Sequence, residues 1–312
     1  MKYFVISDVH SFYDELVAAL KEAGYDQKNK DHFLILCGDC LDRGMQSVEM
    51  IKFLKQLPKS RRVFIRGNHE YLFADLLDKR FPDSYDFSNG TVRSFCHLAR
   101  ETEDVLEYHY WYSAAYHSGR DPMEVDAYDM IQKAWQGIKA KIKDTGLKEW
   151  FLGPDWVDYF ELDNFIFVHS FIPLHDTTNL PGHYLRGHNY SYDPDWRNKL
   201  PFDWEQASWG CPWMLIQQGL NQTGKTIVCG HWHASDFHEH LPDDPMKCDG
   251  VDPRPEDEIY FSKDIIAIDA CTARTGFCNV LVIEGDQCYD QHGNPLPFTA
   301  FLEPDISLKE EE

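Results

Sequence analysis

The sequence predicts an α/β fold, a parallel sheet covered by helices, on three observations. Within the first 70 residues, short apolar β-branched runs alternate with segments of helical periodicity. The runs end in Asp, His or Asn, at the strand edge where open α/β sheets gather functional groups. The chain has 312 residues, 43% of them hydrophobic and 26% charged, so it is long enough to bury a sizeable core and has the balance of a globular protein.

The elements follow in order. "YFVIS" (Tyr3 to Ser7) is a buried strand. In "SFYDELVAALKEAGY", Leu16, Ala19, Leu20 and Ala23 fall at helical spacing, and Gly24 stops the helix. "HFLILCG" is a second strand. "SVEMIKFLKQLP" is a second amphipathic helix, ended by Pro58. "RRVFIRGNHE" is a third strand with its exit loop. From about residue 71 to 150 the rhythm stops. "HEYLFADLLDKR" and "MEVDAYDMIQKAWQGIKAKI" predict helices, with the aromatic "YHYWYSAAYHSGRD" between them. This region is expected to be a mainly helical insertion on the rim of the sheet, within a single domain spanning 1–312. "VDYFELDNFIFVHS" predicts a hairpin turning at Asp163-Asn164. His175 to Met214 is weakly periodic and is expected to be a long functional loop region. "KTIVCGHWH", "DIIAIDA" and "CNVLVIEGDQCYD" complete the strands.

Composition excludes several classes. The formal net charge is −22, which removes electrostatic attraction as a driver of binding to nucleic acid or anionic membranes. No apolar run approaches the length of a membrane span. The start, "MKYFVISDVH", lacks the layout of a signal peptide, and nine scattered cysteines fit a reducing compartment, so a cytoplasmic location is expected. An acidic chain still accepts an anionic substrate where bound cations dominate the local field. The oligomeric state is not legible.

The chemistry sits at the strand exits. Asp8 and His10 follow the first strand; Asp39, Asp42 and Arg43 the second; Asn68, His69 and Glu70 the third. Later strands end in His169 and in His231-Trp232-His233. Residues at i and i+2 of an extended chain point to one side, so Asp8/His10 and His231/His233 each present two ligands together. A set of carboxylate, amide oxygen and imidazole suits Mn, Fe or Zn better than Ca or Mg. A carboxylate such as Asp39 has two oxygens and can bridge two cations about 3.5–4 Å apart, the arrangement that clamps an in-line displacement at phosphorus.

Asp8-x-His10, "GDCLDRG", "GNHE", an apolar strand ending in His169, and "GHWH" together resemble the ordered signature of the calcineurin-like metallophosphoesterases. "GDCLDRG" and "RGNHE" are closest to the branch holding the serine/threonine protein phosphatases and the symmetrical diadenosine tetraphosphatases. The resemblance covers roughly Met1 to Glu70 and His169 to Glu284. It implies a sandwich of two mixed β-sheets flanked by helices, and two divalent metal ions, manganese first, with iron or zinc as alternatives. It implies that Asp8, His10 and Asp39 hold one metal and that Asp39, Asn68, His169 and His231 hold the other. Arg43 would bind phosphate oxygens. His69 would protonate the leaving oxygen, oriented by Asp42, and the nucleophile would be a metal-bridging hydroxide. The implied reaction is hydrolysis of phosphomonoesters on a phosphoprotein, small phosphate ester or nucleotide; the alternative is a dinucleoside polyphosphate or another small phosphodiester.

Three departures bear on the substrate. The fourth motif reads His169-Ser170-Phe171. The last reads Gly-His-Trp-His, where the protein phosphatases often have Gly-His-Thr-Pro, and in the wider superfamily the second His, here His233, completes the first metal site. The protein phosphatases carry a further phosphate-binding Arg between the last two motifs; Arg186 and Arg197 both lie there, and the sequence does not choose.

Ordinary explanations suffice for other features. Glu70 is expected to satisfy backbone donors at the start of its helix. His238 and His240 are expected in a surface loop. The Trp-rich "DWEQASWGCPW" is expected to be packing. Cys37 and Cys40 form a Cys-x-x-Cys with no second pair to complete a zinc site, and Asp39 between them disfavours a thiolate, so both are read as bystanders. Their nearness to the metals raises the expectation that oxidation at Cys40 inactivates the protein.

Overall fold

The structure, a computed structural model, describes residues 1–103, 106, 125–178, 189–241 and 257–297, with backbone only for 125–130. Its opening is the predicted β-α-β-α-β unit: β1 (Lys2–Ile6), α1 (Tyr13–Glu22), β2 (His32–Cys37), α2 (Ser47–Gln56) and β3 (Arg62–Ile65). The three strands pair in parallel, with Phe4 opposite Leu34 and Leu36 opposite Phe64. A helical run follows: α3 (Asn68–Asp78), α4 (Ser84–Ser88), α5 (Thr91–Ala99), α6 (Val125–Asp144) and α7 (Leu147–Leu152). Then come β4 (Trp156–Val157), β5 (Phe160–Glu161), β6 (Phe165–Phe167), β7 (His175–Asp176), β8 (Tyr190–Ser191), α8 (Pro201–Ala207), α9 (Pro212–Gln217) and β9 (Thr226–His233). The last elements are α10 (Ala234–His240), β10 (Tyr260–Phe261), β11 (Ile265–Asp269), α11 (Thr272–Thr275), β12 (Leu281–Glu284), β13 (Gln287–Tyr289) and β14 (Pro295–Leu296).

Two mixed sheets result. One has the order β14-β13-β12-β1-β2-β3-β4 and the other β10-β11-β9-β6-β5. Period-two alternation decides what each strand buries. Val5, Ile35, Cys37 and Ile65 of the first sheet meet Phe165, Phe167, Val228, Ile266 and Ile268 of the second in one apolar layer. Their neighbours Phe4, Ile6, Leu34, Leu36 and Phe64 face the helices on the other side. On the second sheet Ile166, Ile227, Cys229, Ile265 and Ala267 turn outward against α9 and α10. A continuous apolar run in sequence is thus a strand buried on both faces.

The insertion is helical as expected, but its described part does not sit on a rim. Phe73, Phe95, Trp135 and Phe151 share one buried cluster with Phe4, Leu34 and Phe64, so these helices form the outer layer of the first sheet. The ring of Phe95 lies 4.6 Å from Phe73 and 5.6 Å from Trp135. The aromatic stretch 108–121 lies outside the described residues. The segment expected as one long loop carries the β7–β8 pair and the helices α8 and α9, each opened by a proline at its first position. Its tryptophans hide the periodicity because they pack: Trp196 and Trp204 are buried beside Tyr159. Among the described residues, no helix is long and apolar enough to cross a membrane.

Candidate metal centre

The exits of β1, β2, β3, β6 and β9 converge on one edge. The backbone bends sharply there: Asp8, His10, Asp39, Asp42, Arg43 and His231 have φ of 51°, 39°, 57°, 75°, 58° and 66°. Side chains in this left-handed region cost on the order of 1 kcal/mol each. Two glycines make the close approach possible. A Cβ on Gly67 would strike the Asp39 carboxylate, and one on Gly230 would strike Ser7 Oγ and Asp8 Oδ2.

Asp39 is the hub. Its Oδ2 lies 3.7 Å from His10 Nε2 and 3.8 Å from His69 Nε2, while its Oδ1 lies 3.4 Å from His169 Nε2. Two groups of ligand-type atoms form around it, His10–Asp39–His69 and Asp39–His169–His231. Asn68 Oδ1 is 2.8 Å and His231 Nδ1 3.2 Å from His169 Nε2. Asp8 stands at the border, its Oδ1 3.9 Å from His10 Nε2 and its Oδ2 accepting from the His231 amide at 2.9 Å.

These residues fit metal cations. The His10 and His169 Nδ1 atoms donate to the Leu41 and Cys37 carbonyls, both at 2.8 Å, which leaves each Nε2 as the lone-pair nitrogen. His10 Nε2 is buried with no hydrogen-bond partner. Burial, reinforced by neighbouring positive groups, pushes the pKa of His10 and His231 well below the usual imidazole range, the neutral state a ligand requires. Burial drives the Asp39 carboxyl well above its ordinary range.

Glu70 acts as expected and reaches further. Its carboxylate accepts from the amides of Gly67, Asp39 and Cys40 at 2.7, 3.0 and 2.9 Å, tying the exits of β2 and β3 together. His69 Nδ1 lies 2.7 Å from Asp42 Oδ2. Burial alone would lower the pKa of His69, but the carboxylates of Asp39 and Asp42 outweigh it and the net shift is upward.

Sequence reasoning missed what holds Asp42. Thr91 Oγ1 donates to its Oδ2 at 2.7 Å and Ser94 Oγ to its Oδ1 at 2.8 Å. Arg93 Nη1 donates to the Arg43 carbonyl at 2.9 Å. All three residues lie on α5, in the helical insertion, for which the sequence offered no role. Asp269 was also missed: it is buried at the exit of β11, and burial followed by the charge of Asp8 pushes its carboxyl well above the usual range. An Asp ending "DIIAID" repeats the signal seen at β1 and β2, and was overlooked because no motif contains it.

Other expected residues are not brought in. His233 joins neither ligand group; its Nδ1 lies 3.7 Å from Asp236 Oδ2. Arg197 makes a two-pronged ion pair with Glu161, at 2.6 and 3.0 Å, and Glu161 also takes Lys225 at 2.8 Å. Lys225 precedes β9 while His231 is near its far end, roughly 20 Å away at about 3.3 Å per residue. Arg197 therefore belongs to the opposite end of the sheet. Arg186 lies outside the described residues, as do His183 and His188. His238 is not in a surface loop: it is buried on α10, its ring 5.2 Å from Tyr260. Cys40 is fully buried, and burial raises its thiol pKa well above the usual value, which weighs against the oxidation expectation.

Residues 1–254 match the family model described as calcineurin-like phosphoesterase. Over 76 residues the chain is 38% identical to an asymmetrical bis(5'-nucleosyl)-tetraphosphatase of Bacillus velezensis, covering 22% of this chain and 30% of that enzyme. Over 70 residues it is 40% identical to a symmetrical bis(5'-nucleosyl)-tetraphosphatase of Psychromonas ingrahamii, covering 22% and 24%. The chain thus matches less than a third of the length of these relatives. A solved structure of a cold-active protein-tyrosine phosphatase of a Shewanella species is 13% identical with a TM-score of 0.46, covering 95% of this chain and 79% of that one.

Proposed function

The chain belongs to the calcineurin-like phosphoesterase family, and from that premise we propose that it is a phosphoester hydrolase acting with two divalent cations on dinucleoside polyphosphates of the diadenosine tetraphosphate type. The observation that carries the chemistry is Asp39, whose two oxygens face two separate clusters of histidines. The names of the two curated relatives support the substrate.

Asp8, His10 and Asp39 would hold one cation, and Asp39, Asn68, His169 and His231 the other, with manganese ahead of iron and zinc. When bound, the cations supply positive charge for the phosphoryl oxygens and acidify the attacking water. The chain's own groups do the rest. The half-buried Arg43 guanidinium acts electrostatically on His10, His69 and His231, and its planar fork suits two phosphate oxygens at once. His69 carries a proton on Nε2 while Nδ1–H is held by Asp42, and as the P–O bond breaks, Nε2–H passes to the leaving oxygen. A leaving nucleotide needs that proton less than a leaving alkoxide does, because its oxyanion is far less basic.

The second reading, a phosphomonoesterase acting on phosphoprotein, is favoured by "GDCLDRG" and "RGNHE". The manganese-loaded chain should be given diadenosine tetraphosphate and a phosphoserine peptide in parallel. We expect kcat/KM at least about tenfold higher for the dinucleotide; the reverse preference would select the second reading.

A further inference from the structure

Trp209 stands apart from the other tryptophans. Among the described residues, every other tryptophan belongs to or packs against one of the apolar clusters, whereas Trp209 joins none. It is half-buried, so the packing expected of the Trp-rich stretch does not account for it. Its ring meets His231 edge to face, with centroids 6.1 Å apart and planes at 87°. His231 is a candidate cation ligand, so this indole borders the metal centre itself.

The backbone fixes the ring there. Trp209 lies in the link between α8 and α9, and its amide donates to the Gln206 carbonyl at 3.1 Å. The next carbonyl, of Gly210, accepts from Ser170 Oγ at 3.0 Å and from Trp232 Nε1 at 2.9 Å. Ser170 follows His169 and Trp232 follows His231, so the link is tied to the exits of β6 and β9, the strands that deliver two of the ligands. A Cβ on Gly210 would come within 3.1 Å of Ser170 Oγ and 3.2 Å of the Ala207 carbonyl, so the absent side chain permits this close approach.

From this placement we infer that Trp209 is the platform on which the base of a bound nucleotide stacks, which makes it a specificity-determining residue; the inference rests on the dinucleotide reading above. The phosphates belong to Arg43 and the cations. A base joined to them through one ribose needs a flat apolar surface close by, and it brings a π-face without charge. A rigid indole supplies that surface where an acidic chain offers a base no electrostatic attraction. Stacking of this kind tolerates any base, because every base has a π-face. Trp209 therefore selects nucleotides over phosphate esters that lack a base, not one base over another.

The test compares the manganese-loaded parent with Trp209→Ala and Trp209→Phe on diadenosine tetraphosphate and on glycerol phosphate, which carries no base. Trp209→Ala should raise KM for the dinucleotide about tenfold, equivalent to about 1.4 kcal/mol, with kcat changed by less than about twofold. The ratio of kcat/KM between dinucleotide and glycerol phosphate should fall about tenfold, and Trp209→Phe should recover most of the loss. An unchanged KM would overturn the assignment. So would equal losses on both substrates, which would make Trp209 a support of His231 instead. A second readout separates this inference from the substrate reading: inhibition of glycerol phosphate hydrolysis by AMP and by inorganic phosphate. Trp209→Ala should weaken AMP about tenfold more than phosphate, and equal weakening would overturn the platform. A parent that binds AMP through Trp209 but does not cleave the dinucleotide would sink the substrate reading and uphold the platform.

Discussion

The two ends of the same strands are built on opposite principles. At the exit end, buried Asp, His and Asn crowd together on a backbone bent into the left-handed region; among the described residues, every non-glycine with positive φ except Arg100 lies at or just beyond the end of a strand at this edge. At the entry end, Lys225 and Arg197 pair with the partly buried Glu161, and Asp155 takes Lys59. Charge at the entry end has found its partner within the chain. At the exit end, acceptors face acceptors and the partner must come from outside. The contrast indicates where the fold gives up stability for chemistry.

Four measurements would break or sharpen that comparison. The largest effect is expected at the hub. Chelation, or Asp39→Asn, should reduce turnover by more than about 100-fold, while circular dichroism shows the helices and strands retained. Full activity of the chelated protein would end the metal reading. Next comes His69→Asn, expected to cost about 10²–10⁴-fold on an alkyl phosphate and markedly less on diadenosine tetraphosphate. Equal losses on the two substrates would refute the assignment of His69 as the donor to the leaving oxygen.

A smaller effect is expected from the groups behind the histidine. Ser94→Ala and Thr91→Val should each lower kcat about tenfold with little change in KM, because they release Asp42 rather than substrate. A change confined to KM would contradict this positioning role. The smallest effect belongs to the entry end. Glu161→Gln should leave activity within about twofold and cost no more than about 1 kcal/mol. The Arg197 hydrogen bond holds the Glu161 carboxyl below its ordinary value, so its contribution is present above the unfolded carboxylate pKa and lost as pH falls through the folded one. The melting temperatures of variant and parent should therefore converge under acid; a gap that persists at pH 3 would show that packing, not charge, is at stake.

What the sequence revealed and concealed follows from range. Asp8/His10, Asp39/Asp42 and Asn68/His69 are each close in sequence and sit on strand exits, so period and spacing suffice to gather them. The support for Asp42 comes from residues 49 and 52 positions on, across a helical insertion whose docking no local pattern encodes. Arg197 matched a motif interval, yet order along a chain does not say which end of a sheet a side chain joins. His238 looked like part of a polar surface run because the helix that buries it is only seven residues long, too short to display a period.

The origin of the ligand-type atoms has one more consequence. Asp8, His10 and Asp39 hang from one sheet, and His169 and His231 from the other. Cations bound between them would rivet the two layers of the sandwich. Loading and unloading would then be coupled to the clock on which the layers part, so a loaded molecule should outlast an unloaded one in forced unfolding by more than its equilibrium stability alone implies.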